Sequence, residues 1–383
     1  MNKIRATYWA YRNKITNKLR GVVHMPAKGL LKGNILFSYF TEPFTFPPHK
    51  SFPNYHSMYW ECYKIAELFS DRGYAVDIIN AKNHTFIPRK PYTICIDTGD
   101  DLERLSKYLT KDCKKIFYIL ISFWKAYNEA EQKRLGELEM RRGVRLIPRR
   151  KMNPSTSPHV ADYLVGFGNK TIFGTFRELN KPIFPIQASE IIQYDFPKYK
   201  DLEKARKHFL WIGGGGAVLK GLDITLEAFS KMPDMHLHVC GPIYGEKDFT
   251  DEYKEELEKT SNIHVYGRID VTGKEFAKII ATCAAVIYPS GGDGTAGAII
   301  QAMHAGLIPI ITPEAGIQEN TECIPIENPT PESIKEVVIK FSNMNIDIIQ
   351  TKSQAIWQYA RSYYTKEQFL KTYATFIDKV LKA

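Results

Sequence analysis

From Asn34 onward the chain alternates short apolar runs with amphipathic stretches. Asn34–Tyr39 (NILFSY) is apolar almost throughout, which suits a strand buried on both faces. Ser57–Asp71 carries apolar residues at helical spacing and stops before Gly73. The alternation predicts strands at Tyr74–Ile79, Tyr92–Asp97 and Lys115–Ser122, with a helix from about Asp100 and another over Asn128–Arg142 ended by Gly143. Short strands at Val144–Ile147 and Tyr163–Val165 follow. Around Gln187–Lys207 the pattern lapses into polar, proline-containing sequence, as an interdomain connection would.

A second series then starts, with strands at His208–Ile212, His236–Cys240, Ile263–Tyr266, Ala285–Tyr288 and Leu307–Ile311. Helices fit between them at Val218–Lys231, Asp251–Lys259, Lys274–Thr282 and Ala296–Ala305, and two more close the chain at Ile346–Ser362 and Lys366–Leu381. Strand and helix in regular alternation imply parallel sheets with helices on both faces. The expected fold class is α/β, with two Rossmann-like domains in tandem and a helical tail. The boundaries read from the pattern are a segment 1–33, a first domain 34–190, a second domain 191–345 and terminal helices 346–383.

The segment before Asn34 differs in kind. Ile4, Tyr8, Tyr11, Ile15 and Leu19 recur at steps of four, three, four and four, one face of a helix surrounded by Lys and Arg. A secretory signal needs an unbroken apolar core, and His24, Pro26 and Lys28 interrupt Gly21–Leu31, so that reading is rejected.

Composition sharpens this picture at one point. Apolar residues make up 44% of the 383 and charged residues 25%, the proportions of a globular enzyme, and no apolar run reaches membrane-spanning length. The six cysteines are scattered without metal-ligand spacing, which suits a reducing compartment. Net charge is +10, from 52 Lys and Arg against 42 Asp and Glu. Residues 1–33 hold eight of the basic groups and no acid, so the remaining 350 residues are nearly balanced. A second basic strip is Arg141, Arg142, Arg145, Arg149, Arg150 and Lys151. It reads either as a solvated surface or as a patch for an anionic acceptor. No aromatic residues interleave with it, which argues against nucleic acid.

Two loops of the second series carry candidate chemistry. Gly213-Gly214-Gly215-Gly216 follows a strand and leads through Lys220-Gly221 into a helix. Glycines let backbone approach a ligand closely, a helix start suits phosphate, and Lys220 adds a cation. The spacing is not that of a P-loop. Pro289-Ser290-Gly291-Gly292-Asp293-Gly294-Thr295-Ala296-Gly297 also follows a strand and opens a helix running through Gln301 to Gly306.

These residues resemble the donor domain of family-4-type retaining glycosyltransferases of GT-B architecture. In that family an E-x7-E motif follows Pro-Ser and continues into Ala-Met-x-x-Gly-x-Pro. Here the same frame holds Pro289, Ser290, Asp293, Gly294, Gly297, Gln301, Ala302, Met303, Gly306 and Pro309, with Lys220-Gly221 where the family has Lys-Gly. The likeness extends from about His208 to Ile326 and is only fold-level in the first domain. It implies two domains facing across a cleft, with the terminal helices crossing back to the first. It also implies transfer of a sugar from a nucleotide donor, UDP- or GDP-linked, to a glycan or lipid-linked acceptor. Retention of configuration and chemistry without a metal are implied as well.

Lys220 and Asp293 are then the expected catalytic residues. Gly214, Gly215, Gly216, Lys220, Gly294, Thr295 and Gln301 are expected around the nucleotide sugar, with Gln301 at the ribose. The chain departs from the family at Asp293 and Gln301, each a Glu there, and has no Arg between Gly213 and Leu219. No metal site and no cofactor beyond the donor are expected, and no D-x-D occurs. His56 and His159 are weak acid–base candidates; His236, His238, His264 and His304 read as structural. The basic segment 1–20 suggests an anionic membrane surface and a cytoplasmic, peripheral location. The alternatives are a catalytically silent GT-B subunit and a sugar-nucleotide epimerase of the same fold.

Overall fold

The apolar runs pair into two sheets. The computed structural model describes residues 21–45, 57–197, 199–319 and 322–382. The amphipathic stretch 1–20 and His56 lie outside these described residues. The first sheet contains β1 (Val22–Met25), β2 (Gly33–Tyr39), β3 (Tyr74–Asn80), β4 (Ile94–Asp97), β5 (Lys114–Ile119), β6 (Tyr163–Gly166) and β7 (Ile183–Pro185) in the order β1-β3-β2-β4-β5-β6-β7. Every pairing is parallel except β1 with β3. Ile35, Leu36 and Phe37 of β2 are wholly buried, as expected of a central strand covered on both faces.

Two assignments made from the pattern change here. Val22–Met25, counted with the basic segment, is an edge strand in which Val23 and Met25 face inward and Val22 and His24 are half-exposed. Four residues with one buried face carry too little apolar signal to register as a strand. Val144–Ile147 is not a strand. Its apolar residue Leu146 is buried, but the Ile147 amide donates to Asp248 Oδ2 at 2.9 Å in the second domain, so this backbone pairs away from the sheet.

The second sheet is wholly parallel, with β8 (His208–Ile212), β9 (His236–Cys240), β10 (Ile263–Gly267), β11 (Ala285–Tyr288), β12 (Ile308–Ile311) and β13 (Ile324–Pro325) in the order β10-β9-β8-β11-β12-β13. Strand order reverses between β8 and β11. In open parallel sheets the crevice at the carboxyl ends of such a reversal is where ligands bind. Here it brings the loop after β8, Gly213–Gly221, beside the loop after β11, Pro289–Ala296.

The terminal helices connect the halves as expected. Ser353 Oγ of helix Ile346–Tyr363 donates to Gly306 O at 2.6 Å in the second domain. Helix Lys366–Lys382 then packs on the first, with the Phe369 ring 5.8 Å from that of Trp60 and Tyr373 5.8 Å from Tyr118. Arg72 pairs with Asp378 at 2.7 Å and Lys114 Nζ donates to Val380 O.

At the amino end of the second sheet, opposite the glycine loops, in-register pairing assembles a ladder of imidazoles. His208 Nδ1 lies 3.0 Å from His238 Nε2, and His236 Nδ1 lies 3.1 Å from His264 Nε2. Burial, followed by the neighbouring imidazoles, lowers His208 to about 4 and His238 to about 3 from the usual 6.5. The folded state therefore binds fewer protons than the unfolded chain between those values. Stability should be complete above about pH 6.5 and fall as pH drops toward 4. For buried His238 the loss is on the order of 2–4 kcal/mol. Urea unfolding of His238→Leu should show a shallower fall between pH 6.5 and 4.5 than the parent; parallel slopes would refute this account.

Candidate active site

Lys220 and Asp293, drawn from two separate motifs, meet. After β8 the chain turns tightly, with the Lys220 amide donating to Gly216 O and Leu222 to Ala217 O, each at 2.9 Å. The helix accordingly begins at Leu222 and not at Val218. Gly221 has φ +72°, and a Cβ there would sit 2.4 Å from Pro289 O, so glycine alone lets the two loops touch. This contact turns the Lys220 side chain inward, only 4% exposed. Its Nζ donates to Gly292 O and Asp293 Oδ2, both at 2.7 Å. The Tyr288 hydroxyl donates to the same carboxylate oxygen at 2.9 Å. Asp293 is thus a fixed acceptor with one oxygen saturated, while its side chain keeps partial access to solvent.

Asp293 lies on the wall of an interdomain cleft of about 860 Å³, with the buried Lys220 behind it. From the second domain Gly213, Gly214, Asp293, Thr295, Gly297 and Gln301 line it, together with Arg268. From the first come Glu61, Asp100, Phe123, Trp124, Arg150 and Met152, among others.

Several predicted nucleotide contacts are placed differently, and Lys220 and Gly294 do not line the cleft. Gly215 and Gly216 do not line the cleft, and the Gly216 and Ala217 amides are taken by the buried carboxylate of Glu246, at 2.5 and 3.1 Å. Two of the loop's anion-binding N–H groups are therefore already satisfied within the chain. Gln301 is also committed: its Oε1 accepts from Ile191 N at 3.0 Å and Ile192 N at 3.3 Å, and its Nε2 donates to Ile192 O. An amide can do both and a carboxylate cannot, which explains Gln at this position. Gln301→Glu, which restores the residue of the resembling family, should set a buried anion against the Ile192 carbonyl. We expect a loss of about 1–3 kcal/mol in chemical denaturation; an unchanged midpoint would show that the linker clamp is unimportant.

Gly294 brings the domains into backbone contact. It forms an isolated antiparallel bridge with Ile121, and the Ser122 amide donates to Asp293 O at 3.1 Å. Thr295 Oγ1 donates to Gly316 O at 3.2 Å. Buried Arg134 donates to Pro289 O and Pro329 O, and Asn169 Nδ2 to Pro313 O and Ile317 O.

The basic strip takes part in this closure. Arg141 bridges Asp223 at 2.7 Å and Glu227 at 3.0 Å; Arg142 bridges Glu252 at 3.2 Å and Glu256 at 2.7 Å and lies over the Tyr253 ring. Arg149 pairs with Asp248. Three of the six cations are thus spent on the acidic face of the second domain, which corrects their reading as an acceptor patch.

Sequence reasoning missed Glu61. It stands on helix Ser57–Asp71 and accepts from Ser189 Oγ at 2.7 Å and Ser189 N at 3.2 Å. Burial raises its carboxyl to about 7. It lines the cleft, yet in sequence it is one of three acids on an amphipathic helix. His159 is exposed, beside Phe123 (6.0 Å between rings), and does not line the cleft. His304 is buried, within 2.9 Å of Tyr364 O. Among the described residues, His84, Asp100 and Asp101 could together face a metal ion, but Asp101 already takes both Nε and Nη2 of Arg104, at 3.0 and 2.8 Å.

Residues 206–343 match the family described as glycosyl transferases group 1. No curated protein matches this chain in sequence. Among solved structures, sucrose-phosphate synthase from Thermosynechococcus elongatus aligns with TM-score 0.62 and 12% identity over 91% of this chain and 99% of that one. HepE from Anabaena, in complex with UDP and glucose, aligns at 0.55 and 11% over 91% and 99%. A mutant of S. aureus TarM, in complex with fondaparinux, alpha-GlcNAc-glycerol and UDP, aligns at 0.50 and 15% over 74% of this chain and 54% of TarM. The chain thus spans about half the length of TarM. At these identities the likeness is one of fold.

Proposed function

We infer that this chain, whose residues 206–343 are a group 1 glycosyltransferase domain on a GT-B frame, moves a sugar from a nucleotide sugar to a glycan or lipid-linked acceptor. The observation that carries the reading is Asp293 on the cleft wall, backed by the buried Lys220, at the strand reversal of the second sheet. A UDP- or GDP-linked donor leaves as a diphosphate, and its developing charge needs fixed positive partners. Lys220 supplies one, and the Gly213–Gly214 backbone can approach the phosphates because neither residue has a side chain.

Asp293 is held at one oxygen by Lys220 and Tyr288, which leaves the carboxylate oriented to accept from a hydroxyl of the donor sugar. The acceptor lies against the first-domain wall, where Phe123 and Trp124 offer ring faces and Glu61 a carboxyl able to take a proton near neutrality. We propose retention of configuration and catalysis by these fixed cations without a metal.

A surface location is proposed from residues 1–20, which hold six Lys and Arg and no Asp or Glu. Among the described residues no helix is long and apolar enough to cross a membrane. Attachment to the cytoplasmic membrane face is proposed to rest on electrostatic attraction, at about 1 kcal/mol per basic residue near anionic lipid. Flotation of the full chain with phosphatidylserine vesicles at low salt tests this; recovery only in the unbound fraction rejects it.

The function is tested by incubating the full chain with UDP-, GDP-, ADP- and dTDP-sugars, with and without membrane extract. Transfer of label to extract supports the reading. A changed sugar nucleotide in the absence of acceptor identifies an epimerase. Binding of a nucleotide without any turnover identifies a silent subunit, a reading that the satisfied Gly216, Ala217 and Gln301 groups favour.

A further inference from the structure

We propose that Arg150, delivered by the first domain, is the second cation of the diphosphate site, standing in for the arginine that the glycine loop lacks. The proposal rests on the nucleotide-sugar reading above and adds a residue to it. Lys220 cannot neutralise a diphosphate alone, because its ammonium is already shared with Asp293 and Gly292 O. The Gly216 and Ala217 amides are satisfied by Glu246. A further positive group is required, and no residue from Gly213 to Leu219 is charged.

Arg150 is built into the right place. The amides of Arg149 and Arg150 both donate to Glu131 Oε1, at 2.8 and 2.7 Å, which fixes the backbone against helix Trp124–Arg142. Arg150 Nε donates to Tyr127 OH at 3.0 Å, which fixes the plane of the guanidinium. Its stem crosses Gly216: a Cβ on that glycine would lie 2.4 Å from Arg150 Cγ, so the missing side chain is the space the arginine fills. This gives Gly216 a role although its amide is turned to Glu246.

Arg150 lines the same cleft as Gly213, Gly214 and Asp293. The side chains of its neighbours Arg141, Arg142 and Arg149 all hold carboxylates, whereas among the described residues no carboxylate oxygen lies within 4.0 Å of the Arg150 guanidinium nitrogens. A guanidinium fork suits phosphate oxygens better than a point charge does. Because Arg150 belongs to one domain and Gly213–Gly214 to the other, a diphosphate touching both is bound tightly only when the domains are closed.

The test is equilibrium binding of UDP, UMP and uridine to the full chain, or of the guanosine series if GDP is the nucleotide bound. In Arg150→Gln, diphosphate affinity should fall about 30-fold or more, the size of a lost charge-assisted phosphate contact. Nucleoside affinity should stay within about twofold, and Arg150→Lys should recover part of the loss. Tyr127→Phe, which keeps the charge but frees the guanidinium plane, should give a loss of diphosphate affinity of about threefold, smaller than that of Arg150→Gln. Wild-type binding of UDP or GDP with unchanged affinity in Arg150→Gln overturns this proposal alone. An equal loss for nucleoside and diphosphate also overturns it, since that marks a structural role. Failure of the wild-type chain to bind any nucleotide overturns the nucleotide-sugar reading and this proposal with it.

Discussion

Lys220→Met should lower turnover of the donor about a thousandfold while the protein still folds. Nζ is buried beneath the Pro289–Ala296 loop, held by Gly292 O and Asp293 Oδ2, and cannot be replaced by solvent cations. Removing one preorganised charge from a site where a diphosphate develops costs roughly two to three decades in rate, or about 3–4 kcal/mol of transition-state stabilisation. Methionine keeps most of the packing volume, so the steric cost is small. The electrostatic cost to the resting protein is real, because Asp293 then keeps Tyr288 but loses its counter-ion in a mostly buried setting.

The two effects separate in one experiment. A pure stability loss shows as a lower melting temperature with turnover per folded molecule intact. The catalytic role shows as lost turnover at a temperature where circular dichroism reports full folding. Asp293→Asn should lose activity with less destabilisation, since the amide oxygen can still accept from Lys220. Full activity of folded Lys220→Met would remove Lys220 from the mechanism.

Legibility in the sequence tracked the distance between interacting residues. The central strands were readable because a parallel strand covered on both faces is a continuous apolar run, and the two loops because each is a short glycine-rich stretch between a strand and a helix. Lys220 and Asp293 were readable for the same local reason. What escaped were pairings across the chain. Nothing near Gly216 signals that Glu246, thirty residues on, will occupy its amide, or that Gln301 will hold the linker at Ile191, 110 residues before it. Arg141 looks like part of a free basic strip until Asp223, 82 residues away, is placed opposite it. His208, His236, His238 and His264 are apart in sequence, and only sheet register aligns them.

Those long-range contacts give the site its closed form, and one glycine tests whether that form is needed. Gly294→Ala should destabilise the protein by about 1–3 kcal/mol and reduce turnover at least a hundredfold. A Cβ at Gly294 would lie 1.9 Å from Leu120 O, 2.6 Å from Leu120 C and 3.1 Å from Ile121 Cα. All three are backbone atoms of the first domain, so no rotamer change relieves the overlap. On the other side, the position of a Cβ on Gly316 is 1.6 Å from Gly294 O, so the loop cannot retreat freely. The loops must therefore separate, which breaks the Ile121 bridge and the Ser122–Asp293 hydrogen bond and carries the Asp293 carboxylate with them. A displacement of about 1 Å of a positioning group is enough for a hundredfold loss. Gly297→Ala is the matched control for stability: it lies in the same segment, with no atom within 4 Å of its Cβ position, and should melt within a few degrees of the parent. If Gly294→Ala melts like Gly297→Ala and turns over normally, contact between the two domains at this loop is not what holds Asp293 in place.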